Sequence, residues 1–364
     1  MQKVRVGVIG CGGIGRSKHL EVLSKLQDKV EIVALCDREI ARAQAAALEF
    51  GSPQARCYSD FRKMFAAGEM DAVHICTPNA THCEIAVAAL ESGIHVMCEK
   101  PIALNGKQAK VMCETARRTG KKLTIGYQNR FRDDVLYLKE ICRAGTLGEI
   151  YYAKAHATRR KGVPTWGVFL NKELQGGGPV MDIATHALDM TLWLMDNYAV
   201  DSVMGKVFYK MKDNPEGNVF GRWDPDRFTV EDSAFAMITM KNKAVIYLET
   251  SWALNISDPL EAAATLCGTD AGAELRQKKD GSYFCRVNRA EHGKLVSYQV
   301  DDPPTIAFES VADDRETGFR EISSWIDTIM EDKEPVVLPA QAAVVAQILD
   351  AIYESDQAGR PVYF

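Results

Sequence analysis

The stretch from Val4 to Asp37 constrains this chain more than any other. Val4-Arg5-Val6-Gly7-Val8-Ile9 is short and rich in β-branched residues, which predicts a buried parallel strand. It runs straight into Gly10-Cys11-Gly12-Gly13-Ile14-Gly15, a G-x-G-x-x-G turn. After a helical stretch, a second apolar run, Val30–Cys36, ends in Asp37. Strand, glycine turn, helix, strand and acid form the dinucleotide-binding arrangement, and each part has a physical task. Gly10 permits the tight turn, Gly12 lets the backbone approach a pyrophosphate, and Gly15 lets the helix pack close to the strand. The helix N-terminus aims N–H groups and a partial positive charge at the phosphates. Asp37 falls about 20 residues past the last glycine, where a carboxylate accepts from the ribose hydroxyls and repels a 2′-phosphate. NAD is therefore expected in preference to NADP. Arg38 pulls the other way, since a guanidinium there can stack on adenine or hold a phosphate.

A chain of 364 residues fits two domains. Its 46% hydrophobic and 26% charged residues are those of an ordinary globular protein. With a net charge of −5, no general attraction to nucleic acid or anionic membrane is expected. No apolar run reaches the length of a membrane span, and no leader is expected before the first strand. Ten cysteines occur without a C-x-x-C pair, so they are expected to be free thiols in a reducing cytoplasm, with no metal site.

The first 125 residues alternate strand and helix patterns. A helix is expected over 40–50, a third strand over 72–76 ending at Thr77-Pro78-Asn79, and a helix over 80–92. A strand over 94–98 ends in Glu99-Lys100-Pro101, then come a helix capped by Asn105 and ended by Gly120, and a strand over 122–125. This rhythm implies an open, doubly wound parallel sheet, a Rossmann domain over residues 1–125. Beyond it the rhythm changes. A helix over 133–144 is followed by strands near 149–158, 200–210, 231–241, 244–253, 262–268, 283–288 and 294–300, with a tight turn at Asn242-Lys243. One helix, 180–195, interrupts them, 211–230 reads as a long loop, and helices over 317–330 and 340–355 close the chain. The fold class is α/β plus α+β. Residues 126–364 would form a substrate-binding and oligomerisation domain on a large, mostly antiparallel open sheet, with the last helix packing back on the first domain.

Ligands of open α/β sheets sit at the carboxyl ends of the strands. Lys100, directly after a buried strand and before a proline, is held in a rigid frame, where an ammonium can stabilise negative charge on a substrate oxygen; a solvated lysine at a sheet edge is the plainer reading. Asp182 and His186 lie four residues apart in Gly176-Gly177-Gly178-Pro179-Val180-Met181-Asp182-Ile183-Ala184-Thr185-His186, on one helix face. Histidine is the side chain suited to taking a proton near neutral pH, but a solvated pair on a helix face fits the same spacing. His82 follows Thr77-Pro78-Asn79 and is placed near the cofactor. His74 and His95 are mid-strand and read as structural. Arg159, Arg160, Lys161 and Trp166 form a basic-aromatic loop; Trp166 offers a flat apolar face to a sugar or nicotinamide, and a cation–π surface pair is the alternative.

These residues together resemble the glucose–fructose oxidoreductase / inositol dehydrogenase (Gfo/Idh/MocA) family. The resemblance rests on Gly10 to Gly15, Asp37, Thr77-Pro78-Asn79-Ala80-Thr81-His82, Cys98-Glu99-Lys100-Pro101, and Asp182 with His186, and it thins after about residue 200. It implies that Lys100, Asp182 and His186 are the catalytic set: a secondary alcohol of a sugar, inositol or other polyol loses a hydride to nicotinamide C4, His186 takes the proton and Lys100 polarises the oxygen. It further implies Gly10, Gly12, Gly13, Ile14, Gly15, Asp37, Arg38, Thr77, Pro78, Asn79, His82, Glu99, Lys100 and Gln128 around NAD. Arg160 and Trp166 join the catalytic three around a small carbohydrate or polyol, and the open sheet serves homodimer or homotetramer contacts. Two other functions fit the same residues. One is redox-neutral glycoside cleavage through transient oxidation, elimination and re-reduction. The other is a non-catalytic NAD-binding regulator, against which the intact lysine, aspartate and histidine argue.

Overall fold

The apolar run at the N-terminus forms β1 (Val4–Ile9), the centre of a six-stranded sheet. Around it lie β2 (Val30–Cys36), β3 (Arg56–Tyr58), β4 (Ala72–Ile75), β5 (His95–Cys98) and β6 (Leu123–Ile125), in the order β3-β2-β1-β4-β5-β6. Every pairing is parallel. The order reverses between β1 and β4, so the crevice at their carboxyl ends is the natural ligand position. The computed structural model describes residues 3–278, 281–300 and 314–364.

Two compact units emerge from the chain. One runs through Gln128 and takes in the stretch ending at Ala343; the other begins at Asn129 and includes Val344–Phe364. The helix that the later stretch adds to the first unit is Asp314–Met330, the penultimate one. Its Ile322, Trp325 and Ile326 are buried in one cluster with Val4, Val6, Leu20 and Leu23.

Three local expectations needed correction in this unit. The chain between residues 51 and 71 carries an edge strand, β3, and a helix, Phe61–Ala66, so 72–75 is the fourth strand. The Arg-Cys-Tyr strand is too short to show alternation; pairing to β2 makes it, and Met64 of the helix fills the space beside Gly7. The helix after the glycine turn opens with a wide, π-type turn over Gly15–Leu20 before tightening over Glu21–Lys25. The helix Ile40–Phe50 keeps its expected bounds, and Gly106–Thr119 has Asn105 accepting from the Gln108 N–H and Gly120 in the left-handed conformation.

The second unit is built on β7 (Ile150–Thr158), β8 (Val200–Phe208), β9 (Ser233–Met240), β10 (Val245–Ser251), β11 (Ala263–Gly268), β12 (Ala271–Gln277), β13 (Tyr283–Glu291), β14 (Lys294–Val300) and β15 (Val362–Tyr363). Their order is β14-β13-β12-β11-β7-β10-β9-β8-β15. All neighbours are antiparallel except β7 and β10. β12 and β15 were not anticipated. Ala271-Gly272-Ala273 carries little β signal, and β15 is two residues long; both exist because a neighbouring strand supplies the hydrogen bonds. The turn at Asn242-Lys243 is as expected, with Lys243 at φ +73°. Residues 211–230 hold one short helical turn, Pro225–Arg227, and are otherwise irregular.

Candidate active site

Geometry at the glycine turn in the first unit fits a dinucleotide. Gly10 has φ +93°, and a Cβ there would meet the Cys76 carbonyl oxygen at 2.5 Å. At Gly15 a Cβ would lie 2.0 Å from the Gly10 oxygen. Gly12 and Gly13 face open space, with nothing within 4 Å of an added Cβ. The first and last glycines are thus required by the fold, and the middle two keep the approach clear for a ligand. A cleft of about 490 Å³ is lined by Cys11, Gly12, Gly13 and Arg16 on one side and Ala41, Arg42 and Ala45 on the other. Asp37 closes the turn: one carboxylate oxygen accepts from the Cys11 N–H at 3.0 Å, the other from the Glu39 N–H at 2.9 Å. Ile14 is exposed at the start of the wide turn. Arg38 is exposed, and the cleft is lined by Arg42, one helical turn further on.

The turns after β4 and β5 are tied to each other. His82 is fully buried, with Nδ1 2.9 Å from the Pro101 carbonyl and Nε2 2.9 Å from the Thr77 carbonyl. A neutral imidazole donates to one of these at a time, and burial lowers its pKa despite both contacts. His82 therefore braces the Thr77 and Lys100 turns from below. Thr81 donates to Thr77 Oγ1 at 2.7 Å and to the Pro78 carbonyl at 2.9 Å, and Asn79 is buried at the start of the same turn. Lys100 is half-buried, and its N–H donates to Glu99 Oε2 at 3.2 Å. Gln128 opens the short helical turn that follows β6.

Behind Lys100 lies a buried ionic cluster that sequence reasoning missed. Lys18 Nζ is 2.8 Å from Glu99 Oε1 and 2.7 Å from Glu321 Oε2. His19 Nε2 is also 2.8 Å from Glu99 Oε1, and His19 Nδ1 is 2.8 Å from His74 Nδ1. Burial alone would raise the Glu99 pKa, but Lys18 and His19 hold it well below the usual carboxylate range. Burial likewise works against the Lys18 charge, and Glu321 and Glu99 overcome it. Burial lowers the pKa of both histidines, so they are neutral. Their tautomers then follow: His19 must carry its proton on Nε2 to donate to the carboxylate, which leaves Nδ1 to accept from Nδ1–H of His74. The available signal was the Lys18-His19 pair one turn past Gly15, with a mid-strand His74.

In the second unit, Asp182 and His186 sit at a change of helical pitch. A π-type turn over Val180–Ala184 passes into the α-helix Thr185–Met195. The uniform helix expected there is therefore corrected: the i, i+4 pair straddles the junction, a feature often found at functional positions. Asp182 Oδ2 accepts from Trp252 Nε1 at 3.0 Å. The glycines before it are pressed against other elements. A Cβ at Gly177 would lie 1.9 Å from the Tyr353 hydroxyl and one at Gly178 2.1 Å from the Glu231 carbonyl. Buried Glu231 accepts from the N–H groups of Gly178 at 2.8 Å and Val180 at 3.1 Å, and from Tyr353 at 2.9 Å. Burial raises its pKa against those donors. Further along the helix, Asp189 receives buried Arg130 in two bonds of 2.9 and 2.6 Å. Glu231, Trp252 and Arg130 thus fix the helix that carries Asp182 and His186.

The basic-aromatic loop is resolved into separate roles. Arg159 forms a two-bond pair with Glu261, each 2.5 Å, and Lys161 donates to the Asn214 carbonyl at 2.9 Å. Arg160 is exposed. Trp166 is 52% exposed and packs edge-to-face on Phe220, and among the described residues no cation–π pair with it occurs. All ten cysteines are free. Among the described residues, no group of three metal-ligating side chains occurs, and no helix is long and apolar enough to cross a membrane.

Residues 4–127 match the oxidoreductase-family model described as an NAD-binding Rossmann fold, and residues 139–364 match that family's C-terminal alpha/beta domain. The chain belongs to the Gfo/Idh/MocA oxidoreductase family. It is an NAD-dependent oxidoreductase. It is 37% identical to a D-glucoside 3-dehydrogenase of Escherichia coli over 99% of this chain and 97% of that one. It is 29% identical to a glucose-6-phosphate 3-dehydrogenase of Bacillus subtilis over 98% of each. Among solved structures, a levoglucosan dehydrogenase in complex with NADH and L-sorbose superposes with a TM-score of 0.83 at 23% identity, over 100% of this chain and 99% of that one. That Gfo/Idh/MocA architecture accounts for both sheets described above.

Proposed function

We propose that this protein oxidises a secondary alcohol of a sugar or polyol, with a glucoside as its foremost substrate, and that Lys100, Asp182 and His186 are its catalytic set. The end-to-end similarity to a D-glucoside 3-dehydrogenase carries the substrate class. Gly12 and Gly13, with their clear approach, and Asp37, fixed by two backbone N–H groups, hold the pyrophosphate and ribose of the cofactor. Thr77, Pro78, Asn79, Glu99 and Gln128 flank its nicotinamide half.

The net change is CH–OH to C=O, with two electrons leaving as a hydride and the hydroxyl proton passing to a base. NAD, when bound, supplies the hydride acceptor at nicotinamide C4. Lys100 donates to the reacting oxygen and stabilises the charge that develops as its proton leaves. His186 accepts that proton, as an imidazole does near neutral pH. Asp182, anchored by Trp252, orients a substrate hydroxyl. Arg160 and Trp166 contact the substrate's outer parts.

The test is to mix the purified protein with NAD and glucosides, inositols or free aldoses and follow nicotinamide reduction. Lys100→Met and His186→Ala should each lower kcat/KM by about 10²-fold or more. Near-normal turnover in either variant would remove that residue from the set. Aglycone release without net reduced nicotinamide would replace the dehydrogenase reading with redox-neutral glycoside cleavage.

A further inference from the structure

A row of aromatic rings leads outward from Asp182 in the second unit. Trp252, whose N–H holds the Asp182 carboxylate, is fully buried. Its ring meets Phe169 at 6.5 Å between centroids, Phe169 meets Trp166 at 5.8 Å, and Trp166 meets Phe220 at 4.9 Å, all near-perpendicular. Exposure increases from buried Trp252 through half-buried Phe169 to the two outer rings, Trp166 at 52% and Phe220 at 45% exposed.

The two outer rings are not on slack loops. Thr165 Oγ1 donates to the Phe220 carbonyl at 2.6 Å, and the Val219 N–H donates to the Lys161 carbonyl at 3.1 Å. Asn218 clasps Val163 from both sides, accepting its N–H at 2.8 Å and donating to its carbonyl at 2.9 Å. Trp223 Nε1 anchors the following stretch on the Lys212 carbonyl at 2.7 Å. Residues 161–170 are thereby stapled to the long irregular segment 211–230. Two large apolar rings are held in water in a fixed geometry, at an unfavourable hydration free energy that a ligand face would relieve.

We propose that Trp166 and Phe220 form a shelf for the aglycone of a glycoside, and that the preferred substrate carries a flat, apolar-faced aglycone such as an aryl group or a second pyranose ring. This rests on the proposed function, because it takes Asp182 as the point where the reacting sugar is held. Asp182, held by Trp252 at the root of the row, meets that sugar's hydroxyls. The row's exposed outer end, Trp166 and Phe220, two and three ring-to-ring steps beyond Trp252, meets whatever extends past the sugar. Aromatic faces recognise such groups by stacking and edge contacts, with no charge required.

The experiment compares methyl glucoside, phenyl glucoside and a glucosyl-glucose in the wild type, Trp166→Ala and Phe220→Ala, by kcat/KM with NAD and by calorimetric binding. Phenyl glucoside should be preferred over methyl glucoside by about threefold to tenfold in the wild type, and each variant should move that ratio toward one. Preference for the disaccharide over phenyl glucoside would identify a second sugar as the natural occupant of the shelf. An unchanged ratio in both variants, or no preference in the wild type, overturns the shelf. If the wild type oxidises none of the three but binds phenyl glucoside in a way that depends on Trp166, the shelf stands and the proposed reaction falls.

Discussion

Lys18 Nζ lies 2.8 Å from Glu99 Oε1, although 81 residues separate them. The same ammonium reaches Glu321, and the other oxygen of Glu99 receives the N–H of Lys100. A buried cation thus sets the turn that presents the proposed catalytic lysine. Replacing it leaves two buried carboxylates without their counter-ion.

Lys18→Met should therefore cost about 3–5 kcal/mol of stability. Lys25→Ala, which breaks only an exposed pair with Glu21, should cost less than about 0.5 kcal/mol. Denaturant unfolding of both variants checks the contrast. Equal small losses would mean that the cluster is solvated in solution.

Acid should weaken the first unit through His19 and His74. Burial keeps both neutral when folded, whereas the unfolded chain protonates them near the ordinary 6.5. A group whose pKa is depressed on folding contributes full stability above its unfolded pKa and loses it as pH falls. The decline should begin below about pH 6.5, at up to about 1.4 kcal/mol per pH unit for each histidine. Glu99, also depressed, adds to it below its unfolded value of 4.5. His74→Asn should flatten the upper part of a plot of Tm against pH.

Gly12 and Gly15 should separate binding from folding. Nothing lies within 4 Å of a Cβ at Gly12, so Gly12→Ala should leave stability within about 0.5 kcal/mol of wild type while weakening NAD binding about tenfold or more. Gly15→Ala, driven 2.0 Å from the Gly10 oxygen, should lower stability by about 1–3 kcal/mol or more. Calorimetric NAD titration beside thermal unfolding distinguishes the two outcomes.

Trp252→Phe removes the N–H that holds Asp182 and leaves that carboxylate oxygen without its donor, at about 1–3 kcal/mol. If Asp182 orients the substrate, kcat should fall about tenfold with a smaller change in NAD affinity. Steady-state kinetics at saturating NAD measure it. An unaltered kcat would show that Asp182 keeps its position without the indole.

The motifs along the first 125 residues were legible because each is local. A β-branched run, a glycine turn, an Asn cap and a left-handed glycine are read from neighbours in sequence, and β1, β2, the helix Ile40–Phe50 and the Asn105 cap appear where they were expected. β3 and β12 were not legible, because each depends on a partner strand for its hydrogen bonds and neither carries a strong pattern of its own. At the site, Lys100, Asp182 and His186 were singled out by position and spacing, with plainer readings left open until the family resemblance proposed them as the catalytic set. Their supports, Lys18, Glu321, Glu231 and Trp252, were not. Each acts through a contact with a residue 53 to 303 positions away in sequence.

Sequence alone determined the parallel dinucleotide-binding sheet, the mostly antiparallel second sheet and the cofactor, since periodicity, glycine placement and one acidic residue are properties of contiguous chain, and motif resemblance pointed to the family. Tertiary structure decided the protonation of His19 and His74, the charge of Glu99, the pitch change beneath Asp182 and the aromatic row from Trp252 to Phe220. Those follow from burial and from the juxtaposition of distant segments, and desolvation and hydrogen bonding have no value until the chain has folded.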